Sequence, residues 1–238
     1  MELYKAFLYK FISLAFEYPG EDSLKALKES LEDLSLSLRN LGIDFDVEAL
    51  KACLQEYEGE ERLLDLQCDW NSLFATSLKA PSWETAYELE KAGRKAQELA
   101  DIEGFYRAFG LEVRQGYEPD GLIPQLEFLS LLLLKKVHAD EAEKAEIASK
   151  GYEYFFRDHL GRWYRLFCQL VEEETQEEYY RLMSKLMRSF LDRERQEIGV
   201  VLDLIEYRKE MLEGSTWECG IEGKTPQMFI NQKAPPPS

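Results

Sequence analysis

The sequence predicts an all-α protein folded as a single helical bundle. Apolar residues recur at intervals of three and four along most of the chain, which is the period of a helix with one buried face. No stretch of useful length shows the period-two alternation of a half-buried strand. Hydrophobic residues make up 45% and charged residues 32% of the 238 positions, which suits a buried core and a hydrated surface.

Turn residues divide the first part of the chain into four predicted helices. The first spans residues 2–17. The second has leucines at intervals of three and four over 24–38 and ends near Gly42, a residue typical of helix C-termini. The third lies around 50–57, and the fourth covers 60–76 with apolar residues on one side.

The later part is also helical. Ser82 is expected to cap a helix that begins at Trp83 and runs to about Phe109, and a loop follows it. The remaining predicted helices occupy residues from 122 to about 136, 141–173 with a break near Gly161, and 176–212.

The chain is expected to form one helical domain over 1–213, followed by a tail over 214–238. The tail changes character, because it is rich in Gly, Pro and Thr and ends in Ala-Pro-Pro-Pro-Ser. Such composition predicts an extended or mobile segment.

Charge excludes some classes of partner and favours others. The net charge is −17, which opposes nucleic-acid binding because that depends on Lys and Arg contacts with phosphates. A basic ligand, such as an Arg/Lys-rich peptide, would suit this charge, although acidity also serves simple solubility.

The longest apolar run, 126–134, is too short for a membrane span and contains Glu127 and Ser130. With no secretory leader and no closely spaced cysteines, we expect reduced thiols and a cytoplasmic location.

The common signatures of enzymes are missing from the sequence. Only two histidines occur, and neither His138 nor His159 has a Glu three residues earlier, as a di-iron bundle would need. There is no phosphate-binding glycine loop, no Gly-x-Ser-x-Gly turn and no His-Glu-x-x-His zinc helix. We therefore predict no catalytic residue, no metal and no cofactor. A helical enzyme with a carboxylate-bound metal is a distant alternative.

Aromatic and acidic residues gather at the ends of four segments. Those segments are 69–74, 81–87, 117–136 and 159–163. Tryptophan and tyrosine beside loops can anchor a peptide, but most helical aromatics simply pack in a core.

Taken together, these segments resemble the TorD/DmsD/NarJ family, the cytoplasmic chaperones of molybdoenzymes that are also called redox enzyme maturation proteins. The family's central motif has a tyrosine, then Pro-Asp-His, and further on Leu-Glu-Phe. It corresponds here to Tyr117, Pro119-Asp120-Gly121-Leu122 and Gln125-Leu126-Glu127-Phe128. Upstream and downstream family patterns resemble Trp70–Phe74, Pro81–Tyr87, and His159-Leu160 with Trp163. One departure is Gly121, where the family commonly has His.

The resemblance implies a TorD-like helical bundle that is not an enzyme. Its implied partner is the catalytic subunit of a molybdopterin oxidoreductase, bound through an N-terminal leader, often of the twin-arginine type, until the cofactor is inserted. Nucleic-acid binding and stable membrane insertion are not expected, and the protein is expected to be a monomer or a helix-swapped dimer. The expected peptide-binding residues are Trp70, Phe74, Trp83, Glu84, Tyr87, Tyr117, Pro119, Asp120, Gly121, Leu122, Glu127, Phe128, His159 and Trp163. A helical adaptor for some other protein is the main alternative.

The turn before the helix at residue 122 suggests roles for two acidic residues. Pro124 must lie in the first helical turn, so Gly121 is the better N-cap and Asp120 is left free to face a client arginine. Glu127 lies among leucines, so we expect it to be buried with a structural partner. The groove itself is expected to be lined by Trp70, Phe74, Trp83, Tyr87 and Tyr117.

Overall fold

A computed structural model describes residues 1–57, 59–87 and 95–199. Ten α-helices lie in this part of the chain, and the prediction of an all-α fold is confirmed. They are α1 (Glu2–Phe16), α2 (Glu21–Glu29), α3 (Leu31–Leu41), α4 (Val47–Glu56), α5 (Glu60–Trp70), α6 (Lys95–Ala108), α7 (Leu122–Val137), α8 (Ala142–Asp158), α9 (Leu160–Glu174) and α10 (Glu178–Ile198). The predicted tail over 214–238 lies outside the described residues, as does the end of the last predicted helix.

The predicted helix over 24–38 is in fact two helices that meet at Ser30. The Ser30 backbone leaves helical geometry (φ −91°, ψ 2°), and its hydroxyl donates to the carbonyl of Ala26 at 2.7 Å. Such a bond can bend a helix, and this one coincides with the break. As predicted, α3 ends at Gly42, which adopts the left-handed conformation (φ +66°).

The segment after α5 departs from a regular helix. Asn71–Ala75 forms a π-helical turn, closed by the Thr76 amide donating to the Asn71 carbonyl at 2.7 Å. The predicted α-helix from Trp83 is wrong at its start, because Glu84–Tyr87 is a 3₁₀ turn. Trp83 instead pairs with Gly121 in an isolated antiparallel bridge.

The region 141–173 contains two helices, and the break lies at His159 rather than at Gly161. His159 has φ −124° and ψ −97°, so it ends α8 and precedes α9. Gly161 lies inside α9 and is buried. The side chain of His159 is 1% exposed and belongs to a polar cluster described below.

Helix α1 lies at the centre of the contacts that organise the bundle. It packs most extensively along α7 and also contacts α3 and α10, while α7 packs on α8 and α9 packs on α10. All described residues belong to one compact unit. The core is aromatic, and its largest fully buried side chains include Trp163, Tyr9, Tyr164, Phe155 and Phe190.

A buried ion pair ties α1 to α10. Lys5 Nζ lies 3.0 Å from Glu194 Oε2, and the two side chains are 4% and 0% exposed. Tyr152 from α8 also donates to this carboxylate. Burial raises the pKa of Glu194 above its ordinary value, and Lys5 opposes that shift.

None of the helices that the structure describes is both long enough and apolar enough to span a membrane.

Candidate functional site

An apolar groove of about 820 Å³ runs between α1 and α7, with residues 111–117 as a further wall. Its apolar lining includes Leu3, Phe7, Val113, Ile123, Leu131 and Leu134. A volume of this size falls in the upper part of the range of ligand pockets, about 300–1,000 Å³.

The groove exists because α1 and α7 are apolar on more than the core side. On α7, Ile123, Glu127, Leu131 and Leu134 follow each other at intervals of three or four, so they share one face, and all four line the groove. The opposite face of α7 is buried. On α1, Leu3 lines the same groove and is 52% exposed. A surface helix normally places polar residues on such a face.

Glu127 is not buried, and the expectation that it is a core acid is wrong. Its side chain is 43% exposed, and it pairs with Lys10 of α1 across the groove. The reason is helical register, because position 127 falls on the groove face of α7, whereas Leu126 and Leu129 fall on the buried face.

Other charged residues line the groove without partners in the described part of the chain. The side chains of Glu17, Glu112 and Arg114 make no ion pair or side-chain hydrogen bond there. Together with the Lys10–Glu127 pair, the groove has three carboxylates and two cations. Its lining is therefore slightly acidic, with two of the carboxylates unpaired.

A second, smaller pocket of about 220 Å³ adjoins the groove. Both share the side chains of Tyr117, Ile123 and Pro124. The structure brings six of the predicted site residues to this small pocket, namely Trp70, Phe74, Trp83, Tyr117, Gly121 and Leu122. Sequence reasoning thus located an aromatic-lined pocket, and Tyr117, Glu127 and Phe128 of the same predicted set line the groove.

Backbone hydrogen bonds hold the small pocket's walls together. The Leu122 amide donates to the Ser82 carbonyl at 2.8 Å, and the Glu84 amide donates to the Asp120 carbonyl at 3.0 Å. Ser82 therefore does not cap a helix at Trp83. Gly121 is the N-cap of α7, as expected. A Cβ atom at Gly121 would lie 3.0 Å from the Glu118 carbonyl, so this turn favours glycine for steric reasons.

Asp120 is not free to face a ligand, and that expectation is wrong. It is 2% exposed, and its Oδ2 accepts hydrogen bonds from the Thr85 amide at 3.1 Å and the Thr85 hydroxyl at 2.7 Å. These bonds satisfy a carboxylate that burial would otherwise make costly. Asp120 thus fastens the start of α7 to the 3₁₀ turn at 84–87.

A buried polar cluster stands behind this turn. Gln125 Nε2 donates to Glu84 Oε2 at 2.7 Å, and Trp163 Nε1 donates to Gln125 Oε1 at 3.2 Å. His159 Nδ1 lies 3.4 Å from Glu84 Oε1. Trp83 thus lines the pocket, whereas the neighbouring Glu84 side chain is buried in the interior.

Six of the predicted residues therefore line neither cavity: Asp120, described above, and five others that also contact the interior. Glu84, His159 and Trp163 belong to the buried cluster, while Tyr87 donates to the Pro81 carbonyl at 2.8 Å and stacks on Trp163. The Pro119 carbonyl accepts from the Tyr106 hydroxyl at 2.8 Å.

One group in the described residues has the geometry of metal ligands. It comprises Glu84, Glu98 and His159. However, Arg162 Nη1 already lies 3.7 Å from Glu84 Oε1 and 3.6 Å from Glu98 Oε2. A guanidinium thus bridges the two carboxylates, and we assign no metal to this group.

Sequence reasoning missed the larger groove. The sequence analysis places Leu3, Phe7 and Lys10 in the first helix without assigning them to a site. It places Leu131 and Leu134 in a helix that is expected to be buried. A signal for them existed, because residues 2–16 contain few polar side chains for a helix at the surface.

The described residues form an all-helical bundle with an apolar groove, an architecture typical of proteins that bind another chain. Residues 40–169 match the family model of the nitrate reductase delta subunit, which is more than half of the chain. The chain therefore belongs to the nitrate reductase delta subunit family, a family of the NarJ/TorD chaperone type and not a catalytic one. The predicted resemblance is confirmed.

Among solved structures, the chain is similar to a protein from Archaeoglobus fulgidus described as a redox enzyme maturation protein. The two are 24% identical, with a TM-score of 0.45, and the match covers 81% of this chain and 93% of the other. No curated protein matches the chain.

Proposed function

We propose that this chaperone binds the N-terminal leader of a molybdopterin-containing oxidoreductase subunit in the groove between α1 and α7. The leader is of the twin-arginine type or a remnant of it. The chaperone holds the subunit while its cofactor is inserted, before export or assembly. The observation that carries this proposal is the apolar groove, in a chain whose family is of the chaperone type.

The dimensions of the groove support a helical ligand. Its lining on α1 extends from Leu3 to Glu17, which is about 21 Å at 1.5 Å per residue. On α7 it extends from Ile123 to Leu134, or about 17 Å. A client helix of about 11–14 residues has the same length. Such a helix would place one apolar stripe in the groove.

The charge of the chaperone supports a basic client. The whole chain has a net charge of −17, and Glu17 and Glu112 line the groove without partners among the described residues. Complementary charge accelerates encounter more than it increases affinity. Binding should therefore become slower, rather than merely weaker, as salt is added.

Fluorescence anisotropy with labelled leader peptides tests the proposal. The probes are the first 30 or so residues of each molybdopterin oxidoreductase subunit from the same organism. We expect one of them to bind. Leu3→Gln should weaken binding about tenfold or more, because burying a leucine is worth about 1.5–3 kcal/mol.

Leu64→Gln is the matched control. Leu64 is 58% exposed on α5, close to the 52% of Leu3, but it lies outside both cavities. It should leave the affinity unchanged. An equal effect of the two substitutions would show that the leader binds elsewhere. If no leader binds but another protein does so in a Leu3-dependent manner, the chain is a helical adaptor instead.

A further inference from the structure

The small pocket beside the groove differs from it in chemistry. Trp70, Trp83 and Tyr117 belong to its lining, and so does one acidic residue, Glu118. The groove is lined mainly by aliphatic side chains and phenylalanine, whereas the pocket combines several rings with one carboxylate.

The carboxylate of Glu118 has no partner in the described part of the chain. Residue 118 is exposed, and its side chain makes no ion pair or hydrogen bond there. Unpaired surface carboxylates are common in so acidic a chain, so this observation would mean little alone. Here the residue that carries the carboxylate lines an aromatic pocket, and the faces of aromatic rings attract cations.

The pocket is also preorganised. Trp70 Nε1 donates to the Phe16 carbonyl at 3.0 Å, and its ring packs edge-on against Phe74 with a centroid distance of 5.8 Å. The backbone of Trp83 is held by its bridge to Gly121. Rings that are already positioned lose little conformational entropy when a ligand binds.

We propose that the small pocket binds one basic side chain of the client, an arginine in preference to a lysine. The guanidinium plane would contact the rings of Trp70 and Trp83 while its N–H groups pair with Glu118. A planar guanidinium stacks on aromatic rings and pairs with carboxylates more favourably than an ammonium does.

This inference rests on the proposed function, because the client helix brings the side chain to the pocket. The groove and the pocket share Tyr117, Ile123 and Pro124 as a common wall. A helix in the groove therefore has the pocket beside it, next to the first turn of α7. An aliphatic side chain would make more apolar contacts in the groove than in the pocket. In the pocket it would also leave Glu118 unpaired.

The test compares arginine with citrulline, which has nearly the same shape but no charge. The probe is the labelled leader peptide that binds in the experiment above, together with a series in which each arginine in turn is replaced by citrulline. We expect one replacement to weaken binding to the wild-type chain about tenfold, within the range of a partly shielded cation–π contact and ion pair.

Variants of the full chain assign that effect to the pocket. In Glu118→Gln and in Trp83→Leu, the same citrulline replacement should weaken binding about threefold or less, because one partner of the cation is already lost. Glu32→Gln changes an exposed carboxylate on α3 that lines neither cavity, and it should retain the tenfold effect. Glu118→Gln lies in an exposed turn, so it remains informative if Trp83→Leu fails to fold.

The outcomes separate this inference from the function on which it rests. If the leader binds and no citrulline replacement matters, or if the effect persists undiminished in Glu118→Gln, the pocket does not bind a cation and only this inference is overturned. If no leader binds at all, the proposed function falls and this inference falls with it.

Discussion

Asp120→Ala separates two roles for the acidic residue of the central motif. In the structure, Asp120 accepts two hydrogen bonds from Thr85 and is 2% exposed. Hydrogen bonds to charged groups contribute about 1.5–3 kcal/mol each, although contributions within one residue pair are not additive. We expect Asp120→Ala to lower the free energy of unfolding by about 3 kcal/mol, because the amide and the hydroxyl of Thr85 both lose their acceptor.

Urea denaturation at pH 7, followed by circular dichroism, measures this loss. In a protein of this size, about 3 kcal/mol corresponds to a decrease of roughly 6–12 °C in Tm. Asp120→Asn retains one acceptor oxygen without the charge and should cost about half as much. If Asp120→Ala unfolds at the wild-type urea midpoint but binds the leader more weakly, the residue contacts the client and the structural role is refuted.

A double-mutant cycle tests whether Thr85 is the partner that matters. Thr85→Val removes the hydroxyl and keeps the amide. In the Asp120→Ala background it should cost less than in the wild type, by about 1 kcal/mol, because the bond to Asp120 is already missing. Additive effects would show that the two side chains do not interact.

Three further outcomes are expected. Iodoacetamide at pH 8 should label Cys68, which is exposed, and should not label Cys53 and Cys168, because burial raises the pKa of both thiols to about 12. Peptide mass mapping identifies the labelled residues. Labelling of Cys53 or Cys168 in the native state would contradict the prediction. Burial raises the pKa of Glu194 above 4.5 in the folded state. The stability of the wild type should therefore fall relative to that of Glu194→Gln as the pH rises from 4.5 through the raised pKa. Parallel pH profiles in urea titrations would refute that linkage. Ser130→Ala removes a buried hydrogen bond of 2.8 Å from α7 to the α1 backbone, and should cost about 1 kcal/mol in the same titrations; an unchanged midpoint would show that the bond adds nothing.

The existence of the helices could be predicted because apolar residues repeat with the helical period. The positions at which helices break could not be predicted from that pattern. Leu24–Leu38 has an unbroken apolar stripe, yet it divides at Ser30, where a side-chain hydrogen bond forms. At His159 the break coincides with a buried polar cluster assembled from distant segments. The contacts of His159 are tertiary, so local propensity does not report them.

The start of the predicted helix at Trp83 failed for a related reason. The residues around Trp83 are compatible with a helix, but the amide of Glu84 and the carbonyl of Ser82 bond to the turn at 120–122 instead. A pairing of this kind joins segments almost forty residues apart. Local sequence patterns do not contain that information.

The structure brings only part of the predicted site together. Trp70, Phe74, Trp83 and Tyr117 line one pocket, whereas Tyr87 and Trp163 pack in the interior. For Asp120 and Glu127, however, burial was inferred from neighbours in the sequence. Asp120 follows an exposed turn and is buried, whereas Glu127 lies among leucines and is 43% exposed. The direction of a side chain depends on helical register, and a helix that is apolar on nearly every side does not indicate which face is covered.

The position of Glu127 also bears on how a client could enter the groove. Its partner Lys10 is 59% exposed, so the ion pair between α1 and α7 is well hydrated. Exposed pairs of this kind contribute about 0–1 kcal/mol to stability. The contact between α1 and α7 therefore depends on their extensive packing and not on this ion pair. In the proposed complex, a basic residue of the leader would therefore replace Lys10 at Glu127 with little net loss. Because Glu127 lies on the groove face rather than in the core, its charge stays hydrated and costs little stability.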